Sequence, residues 1–129
     1  MFAIGTNDAA NYAVGSPYGS RARIDILMAA AGDRPVLWLT VKTLRSSGHY
    51  ANAEMQAWNT ALLKACATYP NLRVYDWAAE VKDSWFLDDG IHFGSRGYVE
   101  RARRTALALA AAFPAASPTS PDCVVTTVS

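Results

Sequence analysis

The chain has 129 residues, of which 51% are hydrophobic, and its formal net charge is +1. A chain of this size and composition can build one globular domain with a buried core, and its near-neutral charge does not favour binding to nucleic acid or to an anionic membrane. No apolar run approaches the ~20 residues that cross a bilayer. The first residues also lack the basic and long apolar regions of a signal peptide, so the compartment stays unknown.

The two cysteines fall in different settings. Cys66 belongs to a stretch with helical periodicity, whereas Cys123 follows a polar segment that contains proline. Two cysteines so placed make neither a disulfide framework nor a metal cluster. We therefore expect Cys66 to be a small core residue, and we predict no metal and no cofactor.

The first element, residues 1–5, is a short apolar run that predicts the end of a buried strand. It leads into residues 7–19, where a turn-rich composition without a hydrophobic period predicts a loop. A helix then begins near Ser20 or at Ser16 and ends at Gly32. Its apolar face has the spacing i, i+3, i+4, i+7 and consists of Ile24, Leu27, Met28 and Ala31.

The middle of the chain predicts two further strands with a helix between them. Residues 36–41 form a nearly continuous apolar run, which is typical of a central parallel strand covered on both faces. A helix should follow from Asn52 and end at Pro70. Residues 72–76 alternate more clearly between apolar and polar, as in a strand nearer a sheet edge.

The last helix should begin at Ser95, whose side chain can cap it. Its periodicity predicts an inward face made of Tyr98, Ala102, Ala106, Leu109, Ala110 and Phe113. Three arginines, Arg101, Arg103 and Arg104, should then lie mostly on its solvated outer face. Large apolar residues are scarce after this helix, so we predict a domain over residues 1–113 and a disordered tail over residues 114–129.

The order strand, helix, strand, helix, strand, loop, helix predicts an α/β fold with a parallel sheet between layers of helices. Ligands of such sheets bind beyond the carboxyl ends of the strands. Two polar clusters, residues 6–8 and residues 89–92, fall at such strand ends or in loops that can fold over them. We therefore expect both clusters to border one crevice.

Asp89 and His92 are the strongest candidates for chemistry. A loop that folds back lets Asp89 accept the Nδ1 proton of His92, which leaves Nε2 free to act as a general base for a hydroxyl. Asp88 is the alternative partner if Asp89 points away. Such a pair alone more often caps a helix in a solvated loop, but together with residues 5–8 in this topology it indicates descent from a catalytic site. His49 has no carboxylate near it in the sequence and is expected to be a loop residue.

Two segments resemble signature blocks of the SGNH (GDSL-type) hydrolases. Residues 4–8, Ile-Gly-Thr-Asn-Asp, resemble the third block of that family, and residues 89–92, Asp-Gly-Ile-His, resemble the fifth. The resemblance spans residues 1–113 and implies a three-layer, flavodoxin-like parallel sheet. It also implies a serine mechanism through an acyl-enzyme on a small-molecule or glycan acyl ester, with His92 as base, Asp89 orienting it, and Asn7 donating to the oxyanion.

The same resemblance leaves the nucleophile unassigned. In that family the serine lies on a first strand in a Gly-Asp-Ser block, and no such block precedes Gly5. We therefore expect a fragment of such a domain, truncated at its amino terminus, that is inactive or very weak alone. Residues 1–5 should then form an exposed strand edge that can pair with another chain. The alternative is a noncatalytic remnant or binding module with a half-preserved pocket.

Overall fold

The computed structural model describes residues 1–127. The elements of the described chain are, in order, α1 (Thr6–Ala13), α2 (Ser20–Ala31), β1 (Val36–Leu39), α3 (Asn52–Ala65), β2 (Leu72–Tyr75), α4 (Trp77–Glu80), α5 (Ser95–Ala112) and β3 (Val124–Val125). A short 3₁₀ helix, Asp83–Trp85, lies between α4 and α5. None of the helices in this range is both long and apolar enough to cross a membrane.

The strands form one parallel sheet in the order β1-β2-β3. The amino-terminal segment joins the free side of β1 through a single parallel bridge between Phe2 and Trp38. The N–H of Phe2 donates to the carbonyl of Leu37 at 2.8 Å, and its carbonyl accepts from the N–H of Leu39 at 3.1 Å. The strand predicted over residues 1–5 is thus reduced to one paired residue at the sheet edge.

Successive side chains of β1 enter two different cores, because neighbouring residues of a strand point to opposite faces of the sheet. Val36 and Trp38 pack in a cluster with residues of α2 and α3. Leu37 and Leu39 pack in a second cluster with residues of α5. Helices therefore cover both faces of the sheet, and the prediction of an α/β fold is confirmed.

Part of the predicted tail belongs to the folded domain. Val124–Val125 pair in parallel with β2, and the backbone N–H and hydroxyl of Thr127 both donate to the buried carboxylate of Glu80. The prediction of disorder over residues 114–129 is therefore wrong for this segment. Two residues are too short to show a strand period, and their partners lie far away in sequence. Residues 128 and 129 of the predicted tail lie outside the described residues.

Cys66 and Cys123 form a disulfide, with their Cα atoms 6.0 Å apart and a sequence separation of 57. The expectation of an unpaired core cysteine is therefore wrong. Cys66 follows the end of α3 and Cys123 immediately precedes β3, so the pairing of β3 with β2 brings the two sulfurs together. Local sequence patterns do not report such a meeting, because it depends on tertiary placement.

The sequence predicts a loop over residues 7–19, whereas Thr6–Ala13 form helix α1. Ala9 and Ala10 are almost completely buried, and α1 packs against α3. Gly5 immediately precedes this helix. Its φ of 142° favours glycine, and a Cβ at this position would collide with the indole of Trp58. Packing of small residues against α3 thus overrides a composition that favours turns.

Helix α5 packs on the sheet through a face different from the one predicted. Its buried residues are Gly97, Thr105, Ala108 and Ala112, while Tyr98 and Leu109 are 51% and 43% exposed. Alanines occur on every side of this helix, so hydrophobic periodicity does not select one face. The buried face is instead the one whose small residues let the helix lie close to its neighbours. At Gly97, for example, a Cβ would lie only 2.8 Å from the carbonyl oxygen of Trp85.

Because the buried face of α5 differs from the predicted one, its arginines also lie in surroundings other than those predicted. Arg104 is mostly buried and pairs with Glu80 at 2.9 Å and with Glu100 at 3.3 Å. Arg101 is partly buried, whereas Arg103 is exposed. The prediction of a solvated outer face therefore holds for Arg103 and is wrong for Arg101 and Arg104.

Candidate functional site

A cleft of about 300 Å³ lies next to the carboxyl ends of β1 and β2. Thr40 directly follows β1 and Trp77 begins α4 just after β2, and both line the cleft. The start of α1 contributes Asn7, and the loop before α5 contributes His92. The two polar clusters singled out in the sequence thus border one cleft, where ligands of parallel sheets bind.

The predicted contact between Asp89 and His92 is present, with Nδ1 of the imidazole 2.7 Å from Oδ2 of the carboxylate. The other carboxylate oxygen accepts from the backbone N–H groups of Ile91 and His92, at 2.8 and 2.9 Å. Gly90 permits this tight fold with a φ of 67°. Asp88, the alternative partner, makes no hydrogen bond to the imidazole within residues 1–127.

These hydrogen bonds also favour the ionised form of Asp89. The bond from the His92 side chain, followed by those from the backbone N–H groups of Ile91 and His92, lowers the pKa of Asp89 to about 2. Asp89 is therefore ionised at neutral pH and can only accept a hydrogen bond from the N–H at Nδ1. The free Nε2 of His92 is then the basic nitrogen, and the exposed ring can present it to a ligand.

Asn7 is the second residue of α1 and lines the same cleft as His92. The hydroxyl of Tyr50 donates to its side-chain oxygen at 3.0 Å. The amide nitrogen makes no hydrogen bond within residues 1–127, so its two N–H groups remain available to a ligand oxygen. Sequence reasoning missed Tyr50, because no motif links it to Asn7. His49 is exposed, packs beside the ring of Tyr50 and does not line the cleft.

Two basic residues that were not predicted as site residues also line the cleft. Lys42 is paired with Asp83, the Nζ atom lying 2.8 Å from a carboxylate oxygen. Arg101 donates through Nη2 to the carbonyl of Ala3 at 3.3 Å and forms no salt bridge within the described residues. The side chain of Arg101 reaches the cleft because the face of α5 that carries it lies against the rest of the domain. The sequence pattern had placed this face toward solvent.

The hydroxyl of Thr40, which lines the cleft, has other partners than His92. The hydroxyl of Thr40 donates to Asp76 at 3.0 Å and accepts from the N–H of Ala78 at 2.8 Å, which holds the start of α4 against the end of β1. None of the serines among residues 1–127 lines the cleft. In the described part of the chain, no hydroxyl is hydrogen-bonded to the imidazole of His92, so the nucleophile left unassigned by the sequence is not found here.

Comparisons with protein-family models, with curated proteins and with solved structures found no match for this chain. Within residues 1–127 there is also no group of three or more His, Cys, Asp or Glu side chains that could hold a metal ion. The functional argument therefore depends on the side chains of the cleft and on their geometry.

Proposed function

We propose that this chain carries the general base of an SGNH (GDSL-type) serine esterase, acting on a small-molecule or glycan acyl ester. The observation that carries the proposal is the 2.7 Å contact between Asp89 and His92 at the cleft that Asn7 also lines. Nε2 of His92 takes the proton of a serine hydroxyl as its oxygen attacks the ester carbonyl, and then returns it to the leaving alcohol. Water, activated by the same nitrogen, releases the acyl group.

Asn7 supplies the electrostatic part of this mechanism. Negative charge develops on the carbonyl oxygen during attack, and a donor already aimed at that oxygen stabilises the transition state. Tyr50 holds the side-chain oxygen of Asn7, so the N–H groups are the part of the amide available to donate. We assign Asn7 as an oxyanion donor and Tyr50 as the residue that positions it.

The serine would come from a further strand that pairs with the sheet edge at residues 1–4. Phe2 is hydrogen-bonded to β1 on one side, and within residues 1–127 no strand pairs with it on the other. A parallel strand placed there would end beside the cleft, because the carboxyl ends of parallel strands lie at the same edge of a sheet. The flavodoxin-like strand order of the proposed family has a strand at this position.

Apolar grooves flank this edge on both faces of the sheet, which supports its completion by a strand. One groove lies between Met1, Leu39 and the exposed side of α5, including Tyr98 and Leu109. The other is lined by residues of the amino terminus, the end of α2 and the start of β1. Alternate side chains of an added strand would enter the two grooves and bury both.

A noncatalytic binding module is the second candidate. One observation favours it: within the described residues His92 has no hydroxyl partner, although its Asp89 contact is well formed. Such a module would bind acyl esters in the cleft without turnover.

The nucleophile decides between the two candidates. We would extend the chain at its amino end with a strand bearing Gly-Asp-Ser, and measure p-nitrophenyl acetate hydrolysis and labelling of the new serine by a fluorophosphonate. We expect turnover that falls by about four orders of magnitude in His92→Ala or Asp89→Asn, while His49→Ala serves as the matched control and keeps it. An extended, folded chain that neither labels nor hydrolyses would refute the esterase. Turnover by the chain of 129 residues above its own His92→Ala variant would refute the need for the added strand.

A further inference from the structure

Arg101 is a cation placed between the cleft and the sheet edge, and it has no acidic partner within residues 1–127. Its side chain lines the cleft that contains His92. Its Nε atom is buried and makes no hydrogen bond within residues 1–127. Its guanidinium lies 5.8 Å from the centre of the Phe93 ring, and its hydrogen bond to the carbonyl of Ala3 is long, at 3.3 Å.

This setting is unfavourable for a positive charge. Burial lowers the pKa of Arg101 from its ordinary value, because the surrounding groups replace water without supplying an anion. A partly buried charge without a counter-ion destabilises the fold that contains it. Arg104, one helical turn away on α5, shows the contrast, since two glutamates neutralise it. A ligand that supplies the missing negative charge would remove this penalty.

Three acidic groups near the cleft have partners other than Arg101. Asp89 accepts from His92, and Asp83 is paired with Lys42. Asp8, in the first turn of α1, is paired with Arg23 at 3.0 Å. None of the three is bonded to Arg101, so within residues 1–127 its positive charge has no counter-ion.

We infer that Arg101 binds an anionic group of the carboxylate class on the ester that enters this cleft. The inference rests on the proposed function, because it names the substrate class of the same site. The ester carbonyl lies at the His92 and Asn7 end, and the anionic group lies against the guanidinium, whose forked N–H donors match a carboxylate. The cleft, at about 300 Å³, accommodates a small ester of this kind.

Two esters of the same skeleton test this inference on the chain of 129 residues. Monomethyl succinate carries one ester and one carboxylate, whereas dimethyl succinate carries no charge. We would titrate each into the protein and follow backbone amide shifts by NMR. We expect monomethyl succinate to bind at least about tenfold more tightly, as a charge-assisted hydrogen bond to a partly desolvated guanidinium allows, with shifts at residues 89–93 and at Arg101.

Variants of α5 identify the residue responsible. Arg101→Gln should remove the preference for the charged ester, so that the two esters bind with equal affinity, and Arg101→Lys should keep part of the preference. Arg96→Gln is the matched control, because Arg96 is exposed on the same helix and does not line the cleft. Circular dichroism checks that each variant is folded. If Arg101→Gln fails to fold, the comparison of the two esters on the native chain still decides the matter.

The outcomes separate this inference from the proposed function. Equal affinities of the native chain for the two esters would overturn the role of Arg101 and leave the esterase proposal untouched. Free succinate, titrated as a third compound, tests the ester part: its binding at Arg101 with no shift from either ester would overturn the inference that the anionic group belongs to an ester. Binding of none of the three compounds would overturn the inference, whereas the serine-labelling experiment tests the esterase independently.

Discussion

The hydroxyl of Tyr50 decides which way the amide of Asn7 faces. An amide has a donor end and an acceptor end, and only the donor end stabilises an oxyanion. The hydrogen bond at 3.0 Å takes up the acceptor end. The sequence indicated Asn7 through its neighbours Gly5 and Asp8, but it could not indicate Tyr50, because this residue acts through a contact 43 positions away.

Tyr50→Phe should weaken the site without disturbing its packing, because the ring is retained. In the serine-bearing extended chain we expect kcat to fall by about tenfold with little change in KM, compared with losses of about 10²–10³ in kcat for Asn7→Ala, which removes the donor itself. Tyr18→Phe is the matched control, since Tyr18 is exposed and does not line the cleft. An unchanged kcat in Tyr50→Phe would show that Asn7 needs no such support.

At the scale of elements, long apolar patterns were predictable and short or alanine-rich ones were not. β1, α2 and α3 follow from residues whose spacing directly reports burial. α1 is made of small and polar residues and β3 has only two residues, so tertiary contacts define them: burial of Ala9 and Ala10 in one case, pairing with β2 in the other. The buried face of α5 was predicted wrongly because it consists of small residues, which let the helix pack closely but do not stand out in a hydrophobic pattern.

The segment 124–127 is held by a buried carboxylate whose ionisation should govern acid stability. Burial alone would raise the pKa of Glu80, but hydrogen bonds from Thr127, Tyr75 and Arg104 outweigh it and lower this pKa to about 2 from an ordinary 4.5. The unfolded chain therefore binds this proton more readily than the folded one. The stabilisation is complete above about pH 4.5 and is lost as the pH falls through about 2.

Glu80→Gln should flatten this pH dependence. We expect the free energy of unfolding of the native chain to drop between about pH 5 and pH 2, with roughly 3 kcal/mol of that drop due to Glu80. Urea unfolding at a series of pH values measures it. Glu54→Gln is the control, because the side chain of Glu54 forms no salt bridge in the described residues. A native pH profile retained in Glu80→Gln would contradict the assignment.

The disulfide is the second anchor of β3. Reduction of the bond between Cys66 and Cys123, or replacement of both by serine, should lower the free energy of unfolding by about 2–4 kcal/mol, since the closed loop is long. Urea unfolding with and without dithiothreitol measures the loss, and the double serine variant should not respond to the reductant. Unchanged protection of the Val125 amide from hydrogen exchange after reduction would show that β3 needs no covalent anchor.

At the scale of the whole molecule, the α/β class and the meeting of two polar clusters at one cleft were predictable from the sequence. The order of elements requires a parallel sheet, and such a sheet places its polar strand ends together. Partial burial of Arg101 and the disulfide were not predictable, because each depends on how helices and strands settle against one another.

The sheet edge at residues 1–4 should make the chain self-associate. Met1 and Ile4 are 65% and 45% exposed at this edge, and an unpaired apolar edge favours pairing with another strand. Ile4→Lys should lower self-association measured by light scattering, because a charge at the edge opposes pairing. Ile26→Lys, on the exposed side of α2, is the matched control. A native chain that stays monomeric at high concentration would contradict this prediction.

The bond between Cys66 and Cys123 has a topological consequence for the proposed base. It closes residues 66–123 into a covalent ring, and Asp89 and His92 belong to the stretch of chain that forms this ring. A protease that cuts the exposed loop around these two residues would leave both pieces joined, and the mass of the chain would change only by the added water until the sulfurs were reduced. Because such bonds persist where thiols are oxidised, we expect this tether to be retained in an oxidising compartment and opened in a reducing one.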